Sequence, residues 1–168
     1  MQKQIKIFAR FATLALAAVL LLASFTGCGM FGAADKDFAS NGMTITLTED
    51  FSEGSTIGKT VVFQSADVIV TVLKETFTDL GTSAKSAKEY AEIICKANGL
   101  TESTVTEKEG YADFTYEKNG ETNGCYYYAR TYKSADAYWL IQFGCLTEQK
   151  EAKSELFYKW ADTVRFDG

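Results

Sequence analysis

Apolar and hydroxyl residues alternate from Met43 to Thr48 (Met-Thr-Ile-Thr-Leu-Thr), the period-two pattern of a strand with one face buried. Residues 51–59 hold two glycines and two serines and read as a loop. Two β-branched runs follow, Thr60–Gln64 and Val68–Leu73, separated by Ser-Ala-Asp, and predict a hairpin. The period then changes. Ser86 with Glu89 three residues on is a capping-box signature, Ala87, Tyr90, Ala91 and Ile94 fall on one face at helical spacing, and Asn98-Gly99 supplies a left-handed stop.

Beyond the helix, Tyr111–Glu117 reads as a strand, Lys118-Asn119-Gly120-Glu121 as a type I′ turn, and Thr122–Tyr132 as the returning strand. A second reversal at Lys133–Ala137 leads into Tyr138–Thr147. Centring the first turn on Asn119-Gly120 pairs Phe114 with Cys125 and Ala112 with Tyr127. It also sets Glu109 opposite Arg130. Centring the second on Ala135 pairs Cys125 with Cys145, Tyr127 with Phe143, Ala129 with Ile141 and Thr131 with Trp139, and puts Tyr126 over Gly144. One apolar face results, with Phe114, Cys125 and Cys145 in a row. A last helix is predicted from about Glu148 to Val164, with Ala152, Leu156, Phe157, Trp160, Ala161 and Val164 as its buried stripe. Its wet side carries Lys150, Glu151, Lys153, Glu155 and Lys159. The order β-β-β-α-β-β-β-α, with short turns between strands, implies an α+β domain: an antiparallel sheet of about six strands packed with helices.

The N-terminus has a different character. Lys3, Lys6 and Arg10 precede an apolar stretch from Phe11 to Phe25, and no charge returns before Asp35. Phe25-Thr26-Gly27-Cys28 resembles a bacterial lipobox, with Phe25 where that motif usually has leucine. The resemblance implies cleavage before Cys28 and lipidation of Cys28, anchoring the chain at the extracytoplasmic face of the cell membrane. The alternatives are a retained signal anchor, for which the uncharged run is just long enough, and a plain cleaved signal. The expected organisation is a signal peptide over 1–28, a tether of small and polar residues over 29–41, and one domain over 42–168.

Charge narrows the partners. Three basic residues lie within the first 28, leaving 14 basic against 22 acidic residues and a net charge of −8 for the remainder. That balance argues against nucleic acid and against a polybasic grip on anionic lipid, and reads most simply as solubility. There is no histidine, which removes the commonest general base and metal ligand. Glycine-rich phosphate loops, paired cysteines at zinc spacing and Ser-His-Asp sets are absent, so no cofactor and no metal are expected.

The element order resembles the PsbP-like fold, an α/β/α sandwich shared by an extrinsic subunit of photosystem II and a Ran-binding nuclear import factor. The matching features are the opening strand ending in Phe51, the hairpin, the capped helix from Ser86 to Gly99, the meander from Tyr111 to Thr147 and the last helix leading to Val164-Arg165-Phe166. Members of that family act by docking on other proteins. The resemblance therefore implies a non-catalytic binding or assembly module with a protein or cell-envelope partner. A structural lipoprotein of the envelope, and a histidine-free enzyme using carboxylates or a thiol, are the alternatives.

The residues themselves offer three candidate sites. Cys125 and Cys145, opposite one another in the expected register, read as a disulfide staple or two free buried thiols, with a redox switch as the functional alternative. Cys95, on the flank of the first helix, has no histidine to activate it and reads as a core residue. Tyr111, Tyr126, Tyr128, Arg130 and Gln142 share the other face of the expected meander and form a candidate docking face, unless another element covers it.

Overall fold

The computed structural model describes residues 33–80, 86–119 and 124–167. Cys28 and the whole export segment lie outside the described residues, as do Gly120 and Glu121 of the expected turn. Among the described residues no helix is long and apolar enough to cross a membrane.

The predicted α+β class holds, in two antiparallel sheets. The smaller has the order β1-β2-β10, from β1 (Asp35–Ser40), β2 (Met43–Thr48) and β10 (Arg165–Phe166). The larger comprises β3 (Ser55–Ile57), β4 (Thr60–Gln64), β5 (Ile69–Thr76), β6 (Thr106–Lys108), β7 (Tyr111–Lys118), β8 (Cys125–Lys133) and β9 (Ala137–Leu146). Its order is β3-β4-β5-β9-β8-β7-β6. Between β5 and β6 lie the short α1 (Phe77–Leu80) and the capped α2 (Ala87–Ala97); a 3-10 turn (Thr147–Gln149) and α3 (Lys150–Ala161) follow β9.

Strand β1 and the short β3 correct the expectation of a tether over 29–41 and a loop over 51–59. β1 pairs with β2 over all six residues and buries Phe38 against Phe63 in an edge-on ring contact. Its charged start (Asp35, Lys36, Asp37, all exposed) hides the single apolar anchor that holds it. Helix α2 follows its local signals: Ser86 Oγ accepts from Glu89 N at 3.1 Å, Gly99 takes φ +70°, and Tyr90, Ala91, Ile94 and Cys95 are buried. Helix α3 is shorter than expected and leaves Ala152 exposed; Phe157, Trp160 and Ala161 carry its burial. Lys153, expected on the wet side, is only 20% exposed and pairs with Asp67.

The meander forms, but in a different register. In the first hairpin Lys118 pairs with Cys125, so Phe114 faces Ala129 and Asp113, not Glu109, faces Arg130. The pairing is therefore displaced by four residues from the expected one. A shift of four preserves every side chain's face. In the second hairpin Lys133 pairs with Tyr138, and Ser134 N donates to Ala137 O at 2.9 Å. A four-residue reversal replaces the expected odd-numbered one, and the resulting one-residue slip turns β9 over relative to β8. Tyr126 now faces Cys145, and Tyr127 faces Gly144.

Both faces of the large sheet are consequently filled. On one, Tyr126, Tyr128, Tyr132, Trp139, Ile141, Phe143 and Cys145 pack with α3 and the small sheet. On the other, Ala112, Phe114, Tyr116, Tyr127, Ala129, Tyr138 and Leu140 pack with α2.

Candidate functional site

The register decides the fate of the expected sites. Cys125 and Cys145 leave the sheet on opposite faces, paired with Leu146 and Tyr126 respectively, and both are free thiols, as is Cys95. Burial pushes the thiols of Cys95 and Cys145 up to about 11, away from the thiolate a nucleophile needs.

The expected docking face is divided and largely covered. Tyr126, Tyr128 and Arg130 are 3%, 2% and 4% exposed beneath α3. Gln142 lies on the opposite face, where Tyr116 Oη donates to its Oε1 at 2.7 Å. Tyr111 is half-buried at the margin, its ring 4.2 Å from the Arg130 guanidinium. Arg130 donates from Nε to Tyr128 Oη at 2.5 Å and from Nη1 to Asp162 Oδ1 at 2.6 Å. These bonds raise its already high pKa against the opposing effect of burial. They tie the sheet to the end of α3, so the cluster is an internal clamp rather than a surface.

What stays open is an edge. β6 and β7 are joined by a two-residue reversal, with Lys108 paired to Tyr111 and Gly110 at φ +83°. The closing pair of such a hairpin exchanges both backbone bonds, so Tyr111, Asp113, Thr115 and Glu117 point their backbone groups away from β8. Thr131 Oγ1 donating to Ala112 O, on the β8 side, agrees with that alternation. β6 is three residues long and covers β7 only as far as Asp113. Past it, the ladder of Thr115 and Glu117 faces the loop after α2. Among the described residues, Ser103 Oγ donates to Thr115 O there at 3.0 Å.

That stretch forms one wall of a cleft of about 520 Å³, with Leu100, Thr101, Glu102 and Ser103 opposite. A second depression of about 300 Å³ shares Leu100, Thr101 and Ser103 and extends the cleft toward Glu92, Cys95 and Val105. Leu100 and Val105 are half-buried and give it apolar patches. Glu102 and Glu117 line the first part and Glu92 the second, against Lys96. Glu117 is paired with Lys150 at 2.7 Å, both partly exposed. Sequence reasoning had no signal for this cleft.

Among the described residues no group of three or more Cys, Asp or Glu side chains is placed to hold a metal.

With the geometry established, comparison with known proteins adds the fold. No family model matches the chain, and no curated protein matches its sequence. Solved structures do match. The solution structure of cyanobacterial PsbP (CyanoP) from Synechocystis sp. PCC 6803 superposes with a TM-score of 0.50 at 15% identity, over 84% of this chain and 98% of that one. The Saccharomyces cerevisiae Ran-binding protein Mog1p superposes with a TM-score of 0.55 at 8% identity, over 80% and 96%.

The chain has a PsbP-like fold.

A Bacteroides thetaiotaomicron VPI-5482 protein is similar too, with a TM-score of 0.53 at 12% identity. The match covers 79% of this chain but 48% of that protein, so the PsbP-like unit corresponds to about half of it. At these identities the likeness concerns the fold. In this PsbP-like chain the sheet-helix sandwich is the part shared with those structures.

Proposed function

We propose that the chain is an accessory binding module, held at the outer face of a bacterial membrane by a lipid on Cys28, which docks on another protein without chemistry of its own. The anchor is supported by the basic start, the apolar stretch and Thr26-Gly27-Cys28. Multiple acyl chains give durable attachment where a single one is marginal, at ~0.8 kcal/mol per buried methylene. Docking is supported by the PsbP-like fold, in company with a protein named for binding Ran. One observation carries it further: both faces of the large sheet are filled, while the β7 edge at Thr115–Glu117 lies open in a surface cleft.

The test expresses the full chain in a bacterium with photoreactive residues scanned over its exposed surface. The reading expects fatty-acid labelling that Cys28→Ser abolishes, and discrete cross-links to one protein from a contiguous patch. An unlabelled chain recovered in the soluble fraction contradicts the anchor. Cross-links to wall fragments alone, or none, contradict docking on a protein.

A further inference from the structure

Resting on the docking reading, we infer that the β7 edge receives an extended peptide segment bearing basic side chains, added to the large sheet in line with β6. Four features of the cleft define this occupant.

The first is the main chain. Thr115 and Glu117 present outward backbone groups at ordinary strand spacing, beyond the point where β6 stops. An extended chain laid there continues the ladder that β6 begins, with main-chain bonds giving affinity and alternate side chains giving selectivity. The Ser103 hydroxyl already bonded to Thr115 O occupies one of two lone pairs, so an incoming N–H shares the carbonyl or displaces the hydroxyl.

Room and apolar contact come next. The cleft of about 520 Å³ separates the edge from the loop after α2, and its extension holds the half-buried Leu100 and Val105. Every second side chain of an added strand points toward one face of the sheet, where such patches seat small aliphatic groups.

Charge selects the partner. Among the described residues, Glu102, Glu117 and Glu92 line the two parts of the cleft, with Lys96 as the cation in the lining. The Glu117–Lys150 pair is exposed at both ends and is readily exchanged for a cation on the incoming strand. An acidic rim of this kind repels phosphates and nucleic acid and attracts lysine or arginine. The other end of the sheet has the opposite character: beside the edge strand β3, the cleft is lined by Lys59 and Lys74.

The experiment uses the full chain in detergent micelles and three hexapeptides in which valine alternates with lysine, serine or glutamate. Fluorescence anisotropy reads affinity, and amide hydrogen exchange reads the bound position. The lysine peptide is expected to bind at least tenfold more tightly than the glutamate peptide and to slow exchange at Thr115 and Glu117. Glu102→Lys, on an exposed loop, is expected to weaken it at least fivefold, and Lys59→Glu, at the far edge, to leave it unchanged. Failure of all three peptides to bind, equal binding of all three, or binding that leaves both amides unprotected overturns the inference. If those failures accompany cross-links to a protein from another patch, the docking reading stands and this edge is not its site. If no cross-links form either, both fall.

Discussion

The Tyr127 ring lies over Gly144 of the neighbouring strand, where a β-carbon would come within 2.8 Å of its Cε1 and 3.0 Å of Ile69 Cγ2. The glycine leaves the space that the tyrosine fills, and Tyr127 in turn stacks on Tyr116 with centroids 4.6 Å apart. Gly144→Ala therefore overpacks this point and is expected to cost about 1–3 kcal/mol, read as a lower urea midpoint at unchanged slope. Trimming the ring with Tyr127→Leu in the same chain should recover part of that loss. Equal midpoints for wild type and Gly144→Ala would mean that Tyr127 lies elsewhere.

Glu75 is 2% exposed on β5, accepts a short hydrogen bond from Tyr90 Oη, and leaves its Oε1 without a partner. Burial raises its pKa above the ordinary value near 4.5, against the lowering effects of the Tyr90 bond and of Lys59, while Asp79 adds to the rise. A carboxyl raised in the folded state holds its proton longer there than in the unfolded chain. Its contribution to stability is complete below about 4.5 and declines as the pH climbs through its native pKa. Glu75→Gln keeps an acceptor for Tyr90 and removes that slope. The variant is expected to gain stability over wild type as the pH rises from 4 to 8 in urea titrations. Glu75→Ala leaves Tyr90 Oη unpaired and should lose about 1–3 kcal/mol. A wild-type minus Glu75→Gln difference that does not move with pH would show that the carboxyl titrates normally.

Asp162 has a side chain 67% exposed, yet its partner Arg130 is 5% exposed. Ordinary surface pairs contribute about 0–1 kcal/mol. Here removal of the carboxylate strands a buried guanidinium between Tyr111 and Tyr128, so Asp162→Ala should cost about 1.5–3 kcal/mol. Asp35→Ala, which breaks the loose 3.8 Å pair with Lys159, should cost no more than about 0.5 kcal/mol. Equal midpoints for the two variants would remove the clamp.

The three cysteines of the domain should titrate as three free thiols after denaturation without reductant. In the native protein Cys125, half-buried, should alkylate first, and Cys145 and Cys95 should lag behind it, being buried with thiols raised to about 11. Peptide mapping that finds a Cys125–Cys145 link would restore the unslipped register.

Some of this fold is legible in the chain because its causes are local. The limits of α2 follow from Ser86, Glu89 and Gly99, and the β4–β5 hairpin from two β-branched runs around a three-residue break. The β8–β9 register is not legible in the same way. Trp139, Ile141, Phe143 and Cys145 pack on one face and Tyr138 and Leu140 on the other, so a one-residue slip exchanges two largely apolar faces; the polar residue it moves, Gln142, is buried with Tyr116 as its partner. Gly144 held the missing signal, since a glycine inside a strand marks a close approach and Tyr127 is the large ring that needs it. The same slip hid the burial of Tyr126, Tyr128 and Arg130, because the layer above them includes β1, whose charged start reads as a tether. The cleft beside β7 was illegible for another reason: its defining groups are backbone N–H and C=O, which carry no motif. Its only trace is the Glu109-Gly110 turn, which ends β6 before β7.

The open β7 edge underlies both the docking reading and its proposed partner, and amide hydrogen exchange of the isolated full chain tests it directly. Phe114 and Tyr116 face β8 and should exchange slowly, while Thr115 and Glu117, two positions of the same strand, should exchange as fast as exposed loop amides. Protection of Thr115 and Glu117 matching that of Phe114 and Tyr116, with no partner present, would mean the edge is already occupied and would contradict the account.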